Sequence, residues 1–135
     1  MTVIISPELG ARIDKAYYVW FTTVRSDGMP QPTPVWFIRE GETFLIYSQP
    51  NAQKIANIAA NNKVALSFAD SHDAEAFFVI MGEATVDHAP VKANENPIYQ
   101  QKYAQGIVDI KMTPESMAAM FSSLIRVTPI RVREQ

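Results

Sequence analysis

Lys54 is the residue whose placement most invites chemistry. The run Tyr47-Ser48-Gln49-Pro50-Asn51-Ala52-Gln53-Lys54 leads into a helix whose first turn carries this lysine and no carboxylate. Unpaired amides at a helix start, together with the positive end of the helix dipole, favour negative charge and mildly disfavour a cation. Two other helix starts, Ser6-Pro7-Glu8 and Thr113-Pro114-Glu115, obey that rule with a hydroxyl cap, a proline at the first position and a carboxylate in the first turn. A bound phosphate would turn Lys54 into a partner, because amides and ammonium would converge on one anion. The alternative is a lysine that is simply solvated.

A second unusual placement lies upstream. Pro32 and Pro34 stand two apart in a strand-like segment, so the amide hydrogens they lack are missing from the same side of that strand. One reading is an edge strand protected against aggregation. The other is a planar ligand lying beside Thr33, Val35 and Trp36.

Other reactive residue types lack a usable arrangement. His72 and His88 are far apart, sit in or beside turns, and share no metal-ligand spacing, which makes them surface histidines. Asp70, Asp73 and Glu75 belong to a turn, where burial cannot raise a carboxyl pKa, and are expected to be solvated. Ser67, Ser122 and Ser123 have no glycine-flanked nucleophile elbow, and no phosphate-cradling glycine motif occurs. Met112, Met117 and Met120 fall at spacings that suit a helix core or a subunit contact.

The elements that position these residues can be read from periodicity. A short helix is expected over residues 7–15, then strands over 17–25, 31–39 and 43–48, joined by Ser26-Asp27-Gly28 and Glu40-Gly41-Glu42 turns in an antiparallel meander. The helix with Lys54 spans residues 52–60, with Ala52, Ile55, Ile58 and Ala59 on one face and Asn61-Asn62 as its stop. Val64, Leu66 and Phe68 alternate as in a half-buried strand, and residues 75–87 form a long apolar strand broken by Gly82. Helices over 97–103 and 114–122 and a final strand over 124–132 complete the chain.

Bulk properties narrow the class. A length of 135 residues with 47% hydrophobic content suits a single domain, residues 1–135, with one real core. The net charge of −2 and the lack of a basic cluster argue against a nucleic-acid surface. There is no cysteine, hence no disulfide or thiolate chemistry. No apolar run approaches the roughly 18 residues of a membrane span, and residues 1–10 do not read as a secretory leader. A cytoplasmic location is the expectation.

The series Trp20-Phe21-Thr22-Thr23-Val24, Asp27-Gly28, Pro32-Thr33-Pro34-Val35-Trp36-Phe37, Phe44-Leu45-Ile46-Tyr47-Ser48, Lys54 with Asn57, Gly82-Glu83-Ala84 and Ile125-Arg126-Val127-Thr128-Pro129 resembles the pyridoxamine-phosphate-oxidase-like split barrels. It is closest to their deazaflavin (coenzyme F-420) dependent subgroup. The resemblance implies a mainly β fold, a six-stranded antiparallel split β-barrel with two to three covering helices. It implies a homodimer with cofactor sites at the interface and either coenzyme F-420 or FMN as cofactor, while the histidine spacing gives no reason to expect a metal. Lys54 and Ser48 would approach the cofactor phosphate, Pro34, Val35 and Trp36 would lie along the ring system, and Tyr47, Gln49 and Gln53 would supply polar contacts. Lys102, Tyr103 and Arg126 are candidates to reach the partner's site.

Departures from the family pattern matter too. Ala52 and Gln53 stand where basic residues often help to hold FMN, and no His-containing tail follows Arg131, which argues against oxidation of pyridoxamine phosphate. The expected function is hydride transfer between the bound cofactor and a small organic substrate, with no protein acid or base assigned. A non-catalytic flavin-binding or storage protein is the alternative, and a haem-handling barrel lacks a well-placed axial histidine.

Overall fold

A computed structural model describes residues 3–135. Alternation of buried and exposed side chains begins in β1 (Tyr18–Val24), where Val19, Phe21 and Thr23 point inward while Tyr18 and Trp20 face out. β2 (Pro30–Trp36) returns antiparallel to it after a turn in which Gly28 adopts a φ of 87° and the Met29 amide donates to the Asp27 carboxylate. Then follow β3 (Ile38–Glu40), β4 (Thr43–Ser48), β5 (Lys63–Ala69), β6 (Phe77–Asp87) and β7 (Ser123–Glu134). The helices are α1 (Pro7–Lys15), α2 (Gln53–Ala60), α3 (Pro97–Asp109) and α4 (Pro114–Met120). Among the described residues none is long and apolar enough to cross a membrane.

All pairings are antiparallel, and the sheet runs β2-β1-β5-β6-β7-β4-β3. The first strands are therefore not one continuous meander, as the sequence suggested. The β1–β2 hairpin lies at one end of the order and the β3–β4 hairpin at the other. The single strand expected over residues 31–39 is broken at Phe37, and its two halves form the two edges of the sheet. One residue thus joins the edges of a curled sheet, which is the geometry of a split barrel. The sheet has seven strands where six were expected because the second is divided.

The break is held by α3. The Phe37 amide donates to the Tyr103 hydroxyl at 2.8 Å, and the Phe37 carbonyl accepts from Lys102 Nζ at 2.9 Å. The Tyr103 oxygen also lies 2.6 Å from the Tyr17 carbonyl and 2.8 Å from that of Phe37, so its hydrogen has an acceptor on either strand. Two α3 side chains therefore supply the partners that the interrupted ladder cannot. Lys102 and Tyr103 are engaged here within their own chain, Tyr103 being fully buried and Lys102 half-buried. α3 runs to Asp109, beyond the expected end at residue 103, and its Gly106 lets the helix approach Tyr17 and Trp36.

Two cores share β4. Phe44 and Ile46 join Phe21, Phe37, Leu66, Phe68, Phe78, Ile80 and Ile125 inside the barrel. Leu45 and Tyr47 face the other way, against Tyr99, Tyr103, Ile107, Met117 and Leu124 under the helices. The unbroken apolar run of β4 follows from burial on both faces. The expected break at Gly82 is a bulge between Met81 and Gly82, where a Cβ would collide with the Thr128 carbonyl oxygen.

Asp70 is not merely solvated. Arg12 grips both its oxygens, at 2.6 and 2.9 Å, and ties α1 to the β5–β6 turn. This contact holds the Asp70 carboxyl below its ordinary pKa.

Tyr103→Phe should cost about 1–3 kcal/mol in denaturant unfolding, because the buried Phe37 amide loses its acceptor. Stability should also follow pH through the same cluster. Burial pushes the Lys102 amine down to about 8 from an ordinary 10.5, so between these values the folded chain binds fewer protons than the unfolded one and stability rises with pH. Burial pushes the Tyr99 and Tyr103 phenols upward, so stability falls once pH passes the ordinary tyrosine value of 10. Lys54 is depressed as well and adds to the rise. Lys102→Met should therefore shrink the increase seen between pH 8 and 10 in thermal or denaturant midpoints.

Candidate functional site

The chain leaves the barrel at Ser48, turns through Pro50 and Asn51, and enters α2 with Ala52 as the capping residue. The helix starts one residue later than the sequence suggested. Its cap offers no side-chain hydrogen bond and its first turn no carboxylate. Every other α-helix among the described residues is capped: Ser6 accepts from the Leu9 amide, Asn96 from those of Ile98 and Tyr99, and Thr113 from that of Ser116. The Ala52 and Ile55 amides are taken by the carbonyls of Gln49 and Ala52, at 3.2 and 3.0 Å, which leaves those of Gln53 and Lys54 for a ligand.

Those amides open onto a cleft of about 400 Å³ between α2, the end of β4, the end of β2 and the α3–α4 hairpin. This is within the size range of small-molecule and cofactor sites, about 300–1,000 Å³. Pro34, Val35, Trp36, Tyr47, Ser48, Gln49 and Lys54 all line it. Gln53 does not. Its side-chain amide turns the other way and donates to Asn57 Oδ1 at 2.9 Å, so the polar contact expected of it is not available in this arrangement. Thr33, named with Val35 and Trp36 as a neighbour for a planar ligand, is likewise outside the lining.

The cleft has two chemically different ends. At one stand Ser48, Gln49, Ala52 and Lys54. Lys54 is half-buried, and among the described residues no carboxylate forms an ion pair with it. Loss of hydration pulls its amine below the ordinary lysine pKa, with no opposing charge to restore it. A half-buried ammonium without a protein counter-charge is suited to an anion supplied from outside. The Ser48 hydroxyl donates to the Gln49 carbonyl at 3.0 Å and can accept a further bond.

At the other end the walls are apolar. Trp36 is stacked on Tyr103 with ring centroids 4.5 Å apart and planes 6° from parallel, which fixes its orientation. Ile110, Met117 and Phe121 close the cleft from the α3–α4 hairpin. Tyr99 packs edge-on against Tyr47 at 5.0 Å. The Tyr47 hydroxyl donates to the Val91 carbonyl at 2.6 Å, and burial raises its pKa, so it keeps its proton.

Tyr99 and the hairpin residues Ile110, Met117 and Phe121 were not anticipated as walls of the cleft, whereas Ala52 lines it where the family pattern often has a basic residue. Met117 was noted only as part of a methionine stripe suited to a helix core. The capped start at Thr113 marks α4, yet nothing local says which cavity α4 covers. Neither histidine lines the cleft. Both are exposed, His88 with Nδ1 2.7 Å from Ser123 Oγ, and no metal-binding cluster occurs among the described residues. Lys54 is the only charged side chain in the lining. The cleft can thus hold and orient an anionic group joined to an apolar, planar one, and contributes no evident carboxylate or imidazole for proton transfer.

Comparison with known proteins bears on the fold and the family. No curated protein sequence matches the chain. Among solved structures, an F420 reductase is similar at 25% identity, over 93% of this chain and 95% of that one, with a TM-score of 0.74. A conserved hypothetical protein of Mycobacterium tuberculosis shares the fold at 16% identity, over 98% and 85% of the two chains, with a TM-score of 0.76. HutZ, a heme storage protein of Vibrio cholerae, does so at 14% identity over 98% and 95%, with a TM-score of 0.67. The family model described as pyridoxamine 5'-phosphate oxidase matches residues 5–135, which is nearly the whole chain, and the protein belongs to that family.

Proposed function

We propose that the chain is an oxidoreductase that binds a phosphate-bearing flavin or deazaflavin, coenzyme F-420 or FMN, in the cleft beside Lys54. The observation that carries this reading is the cleft's polarity: a lone half-buried cation at an uncapped helix start faces a wall of Trp36, Met117 and Phe121. The residues present fit such a group. Lys54, the α2 amides and Ser48 would hold its phosphate, and Pro34, Val35 and Trp36 would lie along its ring. When bound, the group supplies hydride chemistry. The chain's own part is to orient the ring, shield it from water and anchor the phosphate.

Similarity to the F420 reductase supports the deazaflavin, but a site with one basic side chain suits FMN equally. Oxidation of pyridoxamine phosphate is not proposed, because the cleft offers no second cation for a substrate phosphate. A haem-handling role lacks an axial histidine there.

The proposal includes a homodimer. Antiparallel sheets usually turn a polar face to water, whereas here Tyr18, Trp20 and Ile130 are exposed at 56%, 48% and 46%. An apolar groove lined by Val24, Ala65, Met81 and Ile130 runs over the same sheet. A second copy covering this face would remove it from water, and sedimentation at micromolar concentration should give twice the monomer mass.

The cofactor is tested by releasing and weighing whatever co-purifies, and by titration with FMN and coenzyme F-420; a chain that binds neither overturns the reading. Reduction of an acceptor by the reduced complex separates catalysis from storage. Lys54→Ala should weaken the phosphate-bearing cofactor by about 1.5–3 kcal/mol, the range for a charge-assisted hydrogen bond, while leaving the dephosphorylated form unaffected. Affinity should fall as pH rises through the depressed Lys54 pKa, since only the ammonium pairs with phosphate, and binding below that point should be independent of this group.

A further inference from the structure

A polar cluster lies behind the cleft, on the far side of α2. Asn57, only 2% exposed, donates from Nδ2 to Thr23 Oγ1 at 2.9 Å and to Gln31 Oε1 at 2.8 Å. Its Oδ1 accepts from Gln53 Nε2 at 2.9 Å. Both amide hydrogens and the carbonyl are thus used, on partners from β1, β2 and the first position of α2 itself. We propose that Asn57 is a positioning residue that sets the rotation of α2 about its axis and thereby holds Lys54 in the cleft.

The argument is directional. α2 has eight residues, too few to be stable alone, so its placement comes from what it packs on. Its apolar contacts, through Ile58 and Ile55, attract without fixing an angle. Hydrogen bonds do fix one, because they weaken steeply away from alignment. Gln53 and Lys54 are consecutive and therefore about 100° apart around the helix. With Gln53 tied to Asn57 on the barrel side, Lys54 is turned to the cleft. A helix rotated by one position would leave a buried amide without partners, which is the costly state that keeps the register single.

The inference deepens the phosphate reading of Lys54 and depends on it only for the ligand used as probe. Its test uses Asn57→Leu, which keeps the branching of the side chain and removes the bonds. The first readout is the titration of Lys54 Nζ by NMR in the ligand-free protein, and the second is the affinity ratio of FMN to riboflavin. In the variant, the Lys54 titration should move up toward the ordinary lysine value, and the preference for FMN should fall by about tenfold or more, toward that of Lys54→Ala. A folded Asn57→Leu protein with both readouts unchanged overturns the proposal. So does a wild-type Lys54 that already titrates at the ordinary value.

If Asn57→Leu does not fold, Thr23→Val and Gln31→Met each remove one partner and should move both readouts part of the way. No movement in either variant again overturns it. Wild-type protein that binds FMN no better than riboflavin would end the phosphate reading, and the Lys54 titration would then decide the positioning role by itself.

Discussion

The contact between Phe37 and the side chains of Lys102 and Tyr103 ties the two halves of the molecule together. Without it, the peptide groups at the strand break would lie inside the protein without partners, and the sheet edges would have no fixed meeting point. With it, α3 is bound across the seam. That in turn places Trp36 against Tyr103, carries Ile110 to the rim of the cleft and brings α4 over it. The cleft is a by-product of how the barrel closes. Its apolar wall is furnished by the same helical layer that satisfies the seam.

Charge is distributed sparingly around this frame. Most basic side chains with contacts are spent on surface ties: Arg12 on Asp70, Arg39 on Asp14 and Lys63 on Glu83. Such exposed pairs contribute little to stability individually. Lys102 is consumed by the seam. Lys54 alone carries its charge into the cleft without a carboxylate, and burial raises the cost of that charge. Other cations such as Lys15, Lys92 and Lys111 also lack ion pairs but lie exposed to water, so what sets Lys54 apart is its half-burial in a concave site.

Local features of this organisation were legible in the sequence. The caps at Ser6 and Thr113, the glycine turns at Gly28 and Gly41, the alternation of Val64, Leu66 and Phe68, and the uncapped start before Lys54 depend on residues near one another in the chain. What escaped depends on residues far apart. The seam joins residues 66 positions distant, and no local pattern marks Phe37 as a break. Lys54 was expected at the phosphate and Gln53 as an adjacent polar contact; that Gln53 instead bonds Asn57 depends on the latter's partners Thr23 and Gln31, far away in the chain. The hairpin wall escaped because an amphipathic helix announces that it covers something, without saying what.

β4 has a further consequence. It forms the wall between two cores, with Phe44 and Ile46 on one side and Leu45 and Tyr47 on the other, and it ends at the rim of the cleft. From Phe44 to Tyr47 a strand of this kind has no outside, and a substitution there disturbs one core or the other. Change in the walls of the cleft is then easier in the surfaces that still meet water, β2 and the α3–α4 hairpin, while the strand between the cores stays as it is.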